Sequence, residues 1–322
     1  YEKYNVTRFS FGKKKIEECS YILYRINMQI YQNETEIVYP ELDSLPFPNW
    51  NYSHPYNNER IIITSRGCYG RCNFCYDYYV KESQKVNKIR YRSVENVIDE
   101  MLYLYEKYNV TRFSFGDSCL FGSSEYSRTR AEKLLKSIAQ LSPKFNIRFK
   151  LRIDSINDDT RYLLKQAIEA GLCALFVGVE SGCDDDLRFY NKKTTVAENN
   201  RALQILREEK IHVKPGFICF HPYSSFNSLQ ENLDFLFKNQ MLSSFNIFLH
   251  RMDSNPSSFI NSKMIQDGLN SKSETLGAIY YPDFKDLRID VFYKSLSYIQ
   301  PKYNIHETVS ELGMRKMILE RY

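Results

Sequence analysis

At 322 residues the chain suits one large α/β domain or two smaller ones. With 43% hydrophobic and 26% charged residues it can bury a sizeable core, which excludes a disordered chain. A formal charge of +5, with Lys and Arg scattered, falls short of a nucleic-acid footprint, and no apolar run approaches the ~18 residues of a membrane helix.

The segment YEKYNVTRFSFG stands at 1–12 and again at 105–116. The second copy ends a helix, forms a strand and runs into Asp117, so the structural role is expected there; the first reads as a local duplication or a fault of sequence assignment. The first residue is Tyr rather than Met, which fits a fragment, and no signal-peptide pattern precedes the first expected element. Cys19, Cys119, Cys173, Cys183 and Cys219 show no disulfide-framework spacing, so a reducing, cytoplasmic setting is expected.

A helix is expected over 13–32, with Lys13-Lys14-Lys15 as its solvated start, followed by the proline-rich linker YPELDSLPFPNWN. From residue 60 strands and helices alternate. The β-branched run at 60–65 predicts a strand. Ser93 caps a predicted helix over 93–109, with Val94, Val97, Ile98, Met101, Leu102 and Tyr105 on one face. A strand at 111–117 follows, then a helix striped by Leu134, Leu135, Ile138 and Leu141. Next come a strand at 145–154, a helix over 158–170 ended by Gly171, and a buried strand at 173–182. Thr195 and Glu198 form a capping box opening a helix over 195–209. A strand at 212–220, a helix striped by Leu229, Leu233, Leu236 and Phe237, and a sixth strand at 243–250 complete the alternation. A last helix is expected from Asp286 to about Ile299.

Six strands alternating with five helices predict a parallel β/α architecture. Polar residues recur just past the strands: a cysteine loop, Asp117, Arg152 with Asp154, Glu180, and His221-Pro222. Barrel sites are assembled at that C-terminal face, which favours a barrel over a doubly wound sheet.

GCYGRCNFC at 67–75 places Cys68, Cys72 and Cys75 in the spacing C-x3-C-x2-C. Structural zinc wants four Cys or His ligands, commonly as paired short spacings; no second C-x2-C exists, and His54 lies across a strand. A redox dithiol has no use for Cys68. An electron-transfer ferredoxin saturates a [4Fe–4S] cluster with four cysteines. Three thiolates on such a cube leave one iron open for a small chelate offering N and O atoms, which leads to S-adenosylmethionine.

The spacing, the aromatic Phe74 and the preceding strand resemble the radical S-adenosylmethionine enzymes, over about residues 60–250. The resemblance implies a partial (β/α)6 TIM-like barrel over 60–255, a short N-terminal extension and linker over 1–59, and a mostly helical, substrate-side or barrel-capping tail over 256–322. It implies that Cys68, Cys72 and Cys75 bind a [4Fe–4S] cluster and that Phe74 lies near the adenine of S-adenosylmethionine. Phe115-Gly116-Asp117 stands where the family often has Gly-Gly-Glu against the methionyl amine. Glu180 and Ser181 match a position holding the ribose or amine, and Gly216, Phe217 and Ile218 match a segment beside the adenine. Arg152 is a candidate carboxylate partner, with an ion pair to Asp154 or Glu180 as the alternative; for Glu180 the alternative is a buried structural acid. Cys119 and Cys183 are candidate hydrogen-atom donors, with a small buried hydrophobe as the alternative reading of each. His221 and His250 are read as acid–base groups or as hydrogen-bonded structural histidines.

The implied activity is reductive cleavage of S-adenosylmethionine to a 5′-deoxyadenosyl radical and hydrogen abstraction from an unactivated carbon, in the biosynthesis of a natural product, modified peptide or cofactor. The implied partners are a small-molecule or peptide substrate and a flavodoxin or ferredoxin as electron donor, with no membrane and no nucleic acid expected. ELDSLPFPNW, YRSVENVIDEM, FSFGDSCLF, FVGVESG and NKKTTVAE resemble the subgroup carrying a cobalamin-binding domain before the barrel. Residues 1–40 are too short for that domain and no Asp-x-His-x-x-Gly occurs, so cobalamin as a cofactor, and methyl transfer with it, stay open as alternatives. A non-catalytic iron–sulfur carrier is the third reading. Transfer-RNA methylthiolation would need further cluster cysteines and a basic appendage, which the sequence lacks.

Overall fold

Two short strands begin the description: β1 (Leu23–Ile26) pairs antiparallel with β2 (Gln29–Gln32), Leu23 opposite Gln32. A computed structural model describes residues 23–26, 29–32, 39–50, 58–78, 88–241, 247–253, 258–269 and 282–302. The chain divides into two compact units, Tyr1–Leu45 and Pro46–Tyr322, so the split falls inside the proline-rich stretch rather than at 59/60. The hairpin corrects the helix expected over 13–32: LYRI and QIYQ carry aromatic and β-branched residues that favour extended backbone. Residues 13–22 and the first copy of the repeat lie outside the described residues.

The larger unit is built on a five-stranded parallel sheet. In chain order its elements are β3 (Glu59–Ile62), the short β4 (Ser65–Arg66) and β5 (Arg90–Tyr91), α1 (Val94–Tyr108), β6 (Arg112–Phe115) and α2 (Glu125–Gln140). There follow β7 (Asn146–Arg152), α3 (Arg161–Glu169), β8 (Leu172–Glu180), α4 (Asp184–Phe189), α5 (Val196–Glu208) and β9 (Val213–Phe217). The last are α6 (Phe226–Lys238), α7 (Phe259–Gln266) and α8 (Leu287–Lys302). The strand order is β3-β6-β7-β8-β9, each neighbour parallel.

The helices form where the sequence signals them. Ser93 caps α1 through Asn96 N–H, and Asn109 closes it at φ 55°. The Thr195–Glu198 capping box opens α5, and Gly171 follows α3. Strand alternation divides the sheet into two faces. Phe113, Phe115, Ile147, Phe149, Leu151, Leu175, Val177 and Val179 are buried in one core with Val97, Met101, Leu134, Leu135, Leu163, Leu164, Leu203 and Leu206 of the helices. Each such fully buried side chain contributes ~1.5–3 kcal/mol. The alternate residues, including Ser114, Arg148, Lys150, Arg152, Phe176, Gly178, Glu180 and Lys214, line two cavities on the other face. Helices outside and cavities inside make this an α/β fold of partial TIM-like barrel type.

Among the described residues of the expected sixth strand, 247–250, no strand is formed. Among the described residues 247–249 make a turn, and Arg251 alone bridges Phe220 in parallel. The His250 carbonyl accepts the N–H groups of both Cys219 and Phe220, so a single acceptor serves two donors where a regular ladder would supply one for each. Residues 243–246 lie outside the described residues. Helix α7 was not expected individually, only as part of the mostly helical tail. The final helix was, and its Ile289, Phe292 and Leu296 are buried in the barrel core. No helix among the described residues is long and apolar enough to cross a membrane.

Candidate active site

The cysteine loop leaves β3 and is fastened at both ends. At its start, Asp117 accepts from Thr64 N–H (2.6 Å), Thr64 Oγ1 (2.5 Å) and Ser65 Oγ (2.8 Å). Arg130 donates to Thr64 O (3.0 Å) and Arg92 O (2.9 Å), and β4 pairs with β5 across the loop. At its far end Asn73 donates its N–H to Tyr190 O (2.9 Å) and its amide to Phe189 O (3.0 Å), while Ile260 N–H donates to Asn73 O. The loop is thereby clamped to the end of α4 and the start of α7.

Cys68, Cys72 and Cys75 line one cavity of about 120 Å³, with Phe74, Asp77, Tyr78, Lys150, Arg152, Phe176, Glu180 and Lys192 also on its wall. Burial pushes the Cys68 thiol up, opposed by the Gly70 N–H at 3.4 Å from its sulfur and by Arg152. Burial and the nearby Asp77 push Cys75 up to about 11.

Arg152, at the end of β7, organises this wall. Its Nη1 donates to Cys72 Sγ (3.0 Å), Nε and Nη2 to the two oxygens of Asp154 (2.9 and 3.1 Å), and Nη2 to Lys192 O (2.7 Å). The guanidinium lies 5.0 Å from the centre of the Tyr69 ring, whose hydroxyl donates to Asp154 (3.0 Å). Burial works against its charge, but Asp154 and the Cys72 sulfur outweigh that and hold the group well above its ordinary range. A Cβ at Gly70 would stand 2.3 Å from Arg152 Nη1, so a larger residue there would displace the guanidinium. The ion pair with Asp154 is present, and so is a thiol contact that sequence reasoning did not foresee.

Glu180 ends β8 at φ 70° and accepts from the buried Lys192 Nζ (2.9 Å). Ser181, its neighbour, faces away from the cavity. Its Oγ is 2.7 Å from Asn232 Oδ1 and 3.0 Å from Asp186 Oδ2, and it accepts the Cys183 N–H (3.1 Å). His221 joins the same buried network: Nδ1 accepts the Tyr223 N–H (3.3 Å), which leaves Nε2–H to donate to Asp186 (3.0 Å). The histidine is therefore hydrogen-bonded on both nitrogens. His250 Nδ1 meets Phe217 O.

The remaining candidates divide by location. Phe74 packs edge-on against Tyr190 at 5.5 Å, in an apolar cluster with Ile218. Phe217 stacks on Phe235 inside the core. Gly216 passes under the Phe176 ring, where a Cβ would meet it at 2.7 Å. Gly116 donates its N–H to Ile62 O. Asp117 does not border the cavity; its two oxygens are engaged in holding Thr64 and Ser65, so it positions the loop from behind. Cys119 and Cys183 lie at strand ends but off the cavity wall. Burial pushes both thiols up to about 12, and Cys119 Sγ points at Phe121 O (2.9 Å).

Lys150, Phe176 and Lys192 went unnamed in the sequence reading. Alternation with Arg152 and Glu180 on β7 and β8 is the signal for the first two; Lys192 lies between Asn191 (φ 52°) and Lys193 (φ 62°), a turn that periodicity does not show.

Among the described residues no three His, Cys, Asp or Glu side chains converge on a single metal ion. A [4Fe–4S] cube asks for three thiolates on three separate irons around one space, and Cys68, Cys72 and Cys75 share one cavity wall. Donor set and placement fit that group.

Comparison with known proteins agrees. Residues 62–236 match the Radical SAM superfamily. The chain is 29% identical over 192 residues to 4′-phospho-dehydrooxetanocin synthase of Priestia megaterium, covering 54% of this chain and 25% of that protein. It is 25% identical over 217 residues to cytidylyl-2-hydroxyethylphosphonate methyltransferase of Streptomyces wedmorensis, covering 61% and 39%. Its fold superposes on the cobalamin-dependent S-adenosylmethionine radical enzyme OxsB with a TM-score of 0.72 at 20% identity, covering 89% of this chain and 48% of that one. The chain thus spans less than half the length of each of these proteins. With a family match over more than half its residues, the chain belongs to the radical S-adenosylmethionine superfamily, enzymes that use a [4Fe–4S] cluster and S-adenosylmethionine.

Proposed function

We propose that the thiol-lined cavity is the site at which this chain abstracts hydrogen from an unactivated carbon of a small-molecule or peptide substrate, drawing its electron from a flavodoxin or ferredoxin. The observation that carries the reading is the convergence of Cys68, Cys72, Cys75, Arg152, Glu180 and Lys192 on one cavity. Bound there, the cluster and S-adenosylmethionine supply the radical chemistry. The chain's own residues do the rest. The three cysteines hold the cluster, and Arg152 steadies Cys72 by a hydrogen bond to its sulfur. Glu180 and Lys192 present one anion and one cation to the zwitterionic methionyl group, and Phe74 supplies an apolar wall. Cys119 and Cys183, directed away from the cavity, leave hydrogen-atom return to another group.

A second reading, cobalamin-dependent methyl transfer, is favoured by similarity to a methyltransferase and to a cobalamin-dependent enzyme. Anaerobic reconstitution followed by dithionite and S-adenosylmethionine tests both. Formation of 5′-deoxyadenosine, seen by mass spectrometry and lost in Cys72→Ser, supports hydrogen abstraction. Tight retention of added hydroxocobalamin with S-adenosylhomocysteine as a product moves the assignment to methyl transfer. A well-formed cluster that yields neither product leaves an iron–sulfur carrier.

A further inference from the structure

A second cavity, about 190 Å³, adjoins the thiol-lined one and shares Lys150 and Phe176 with it. Ser114, Phe115, Arg148, Phe149, Ala174 and Lys214 complete its lining. It lies further toward the N-terminal ends of the strands, because Arg148, Ala174 and Lys214 precede the residues that border the thiols. Register puts Lys150 of β7, Phe176 of β8 and Lys214 of β9 in one row across the sheet, with Ser114 and Arg148 side by side in the row below.

The charge of this space is unbalanced. Its lining contains three cations and no acid. Arg148 is paired with Glu59. The side chains of Lys150, Lys214 and Ser114 make no hydrogen bond or ion pair with any described residue, and both lysines are exposed to the cavity. Two uncompensated positive charges remain, with a free hydroxyl beside them. Strands two apart are separated by roughly 10 Å, so two lysine side chains rising from β7 and β9 can close on one small group over the Phe176 ring between them. Two ammonium groups suit a dianion, and the apolar ring beneath disfavours bulk water.

We infer that Lys150 and Lys214, with Ser114, form an oxyanion subsite for a phosphate ester or phosphonate carried by the substrate. As a substrate subsite it rests on the function proposed above; as an anion site it stands alone. It places the dianion of the substrate deep in the barrel and the carbon to be attacked nearer the cysteines.

The test is isothermal titration of inorganic phosphate into the reconstituted full chain. Saturable binding is expected, weakened on the order of tenfold in Lys150→Gln and in Lys214→Gln, since a charge-assisted hydrogen bond is lost each time. Lys107→Gln, on the outer surface of α1, should leave the affinity as it was. Acetate should bind far more weakly than phosphate, and S-adenosylmethionine should not displace phosphate. No phosphate binding, unchanged affinity in the double variant, equal affinity for acetate, or displacement by S-adenosylmethionine would each overturn the subsite. A chain that binds phosphate yet forms no 5′-deoxyadenosine keeps the subsite and loses the enzymatic reading; the reverse result keeps the enzyme and loses the subsite.

Discussion

Glu180 and Ser181 are chain neighbours at the end of β8, yet they serve two polar systems of different construction. Behind the sheet end, Ser181, Asp186, Asn232 and His221 form a closed set. Asp186 Oδ1 takes the histidine, Oδ2 takes Asn232 (2.8 Å) and faces the Ser181 hydroxyl, and Asn232 Oδ1 takes the Gly182 N–H (2.6 Å). The serine has one hydrogen for two facing oxygens, and the shorter approach is to Asn232. All four residues are buried, and their mutual bonds tie β8, α4, α6 and the turn after β9 together. In front, Glu180 and Lys192 pair on a cavity wall beside Arg152, with capacity left toward the open space. The closed set confers rigidity, because buried polar atoms without partners cost ~1–3 kcal/mol each. The open set is where a ligand can compete for a donor or acceptor.

The two systems should respond differently to substitution. On the cavity side, Cys72→Ser should abolish cluster incorporation and 5′-deoxyadenosine formation, read as iron and sulfide content per chain and by mass spectrometry, with an unfolding midpoint close to that of the wild-type apo-protein. In the closed set, Asp186→Ala strands His221 and Asn232 at once and should cost about 3 kcal/mol or more of stability, read from urea unfolding. Any 5′-deoxyadenosine formation per folded molecule should persist in that variant. Should Asp186→Ala instead leave the fold intact and remove the activity, the division between the two systems is mistaken.

Arg152→Gln lies between those extremes. It keeps a polar amide but removes the charge and the reach of the guanidinium, losing the fork to Asp154 and the contact with Cys72, and should lower S-adenosylmethionine affinity or cluster retention by roughly 10–100-fold. Arg152→Lys should not restore it, since an ammonium cannot bridge both carboxylate oxygens and the thiol.

The smallest effect is a pH dependence. Cys119 is held protonated up to about 12 by burial, whereas the unfolded thiol ionises near 9. Between those values the native state binds the proton and the unfolded state does not. Stability therefore falls as pH rises, by about 1.4 kcal/mol per pH unit for this one thiol, and is unaffected by it below the unfolded value. Cys119→Ala should flatten the alkaline limb of a stability–pH curve by that slope. An unchanged limb would show that the thiol is solvated in the folded chain.

Most of the barrel was legible because its signals are local. Ser93, the Thr195–Glu198 box and Gly171 bound their helices where the spacing placed them, and β7 and β8 follow from their apolar runs. The cysteine loop was recognisable for the same reason: three cysteines and an aromatic stand within nine residues. What escaped depends on tertiary context. Nothing within residues 247–250 shows that the His250 carbonyl takes the N–H groups of both Cys219 and Phe220. Asp117 and Glu180 are both acids at the C-terminal end of a strand, and only the fold decides that one faces Thr64 and the other Lys192. Lys150 and Lys214 look like ordinary exposed lysines until the strand register sets them either side of Phe176.

Phe176 owes its place in that row to the bare backbone of Gly216 beneath it. A methyl group at 216 would meet the tip of that ring at 2.7 Å and force it to shift, and the ring lines both cavities. The shape of both cavities is thus adjustable by a single codon on β9, without touching a cysteine, a lysine or the clamped loop. Anyone wishing to alter which molecules the barrel admits has a natural starting pair in residues 176 and 216, varied together.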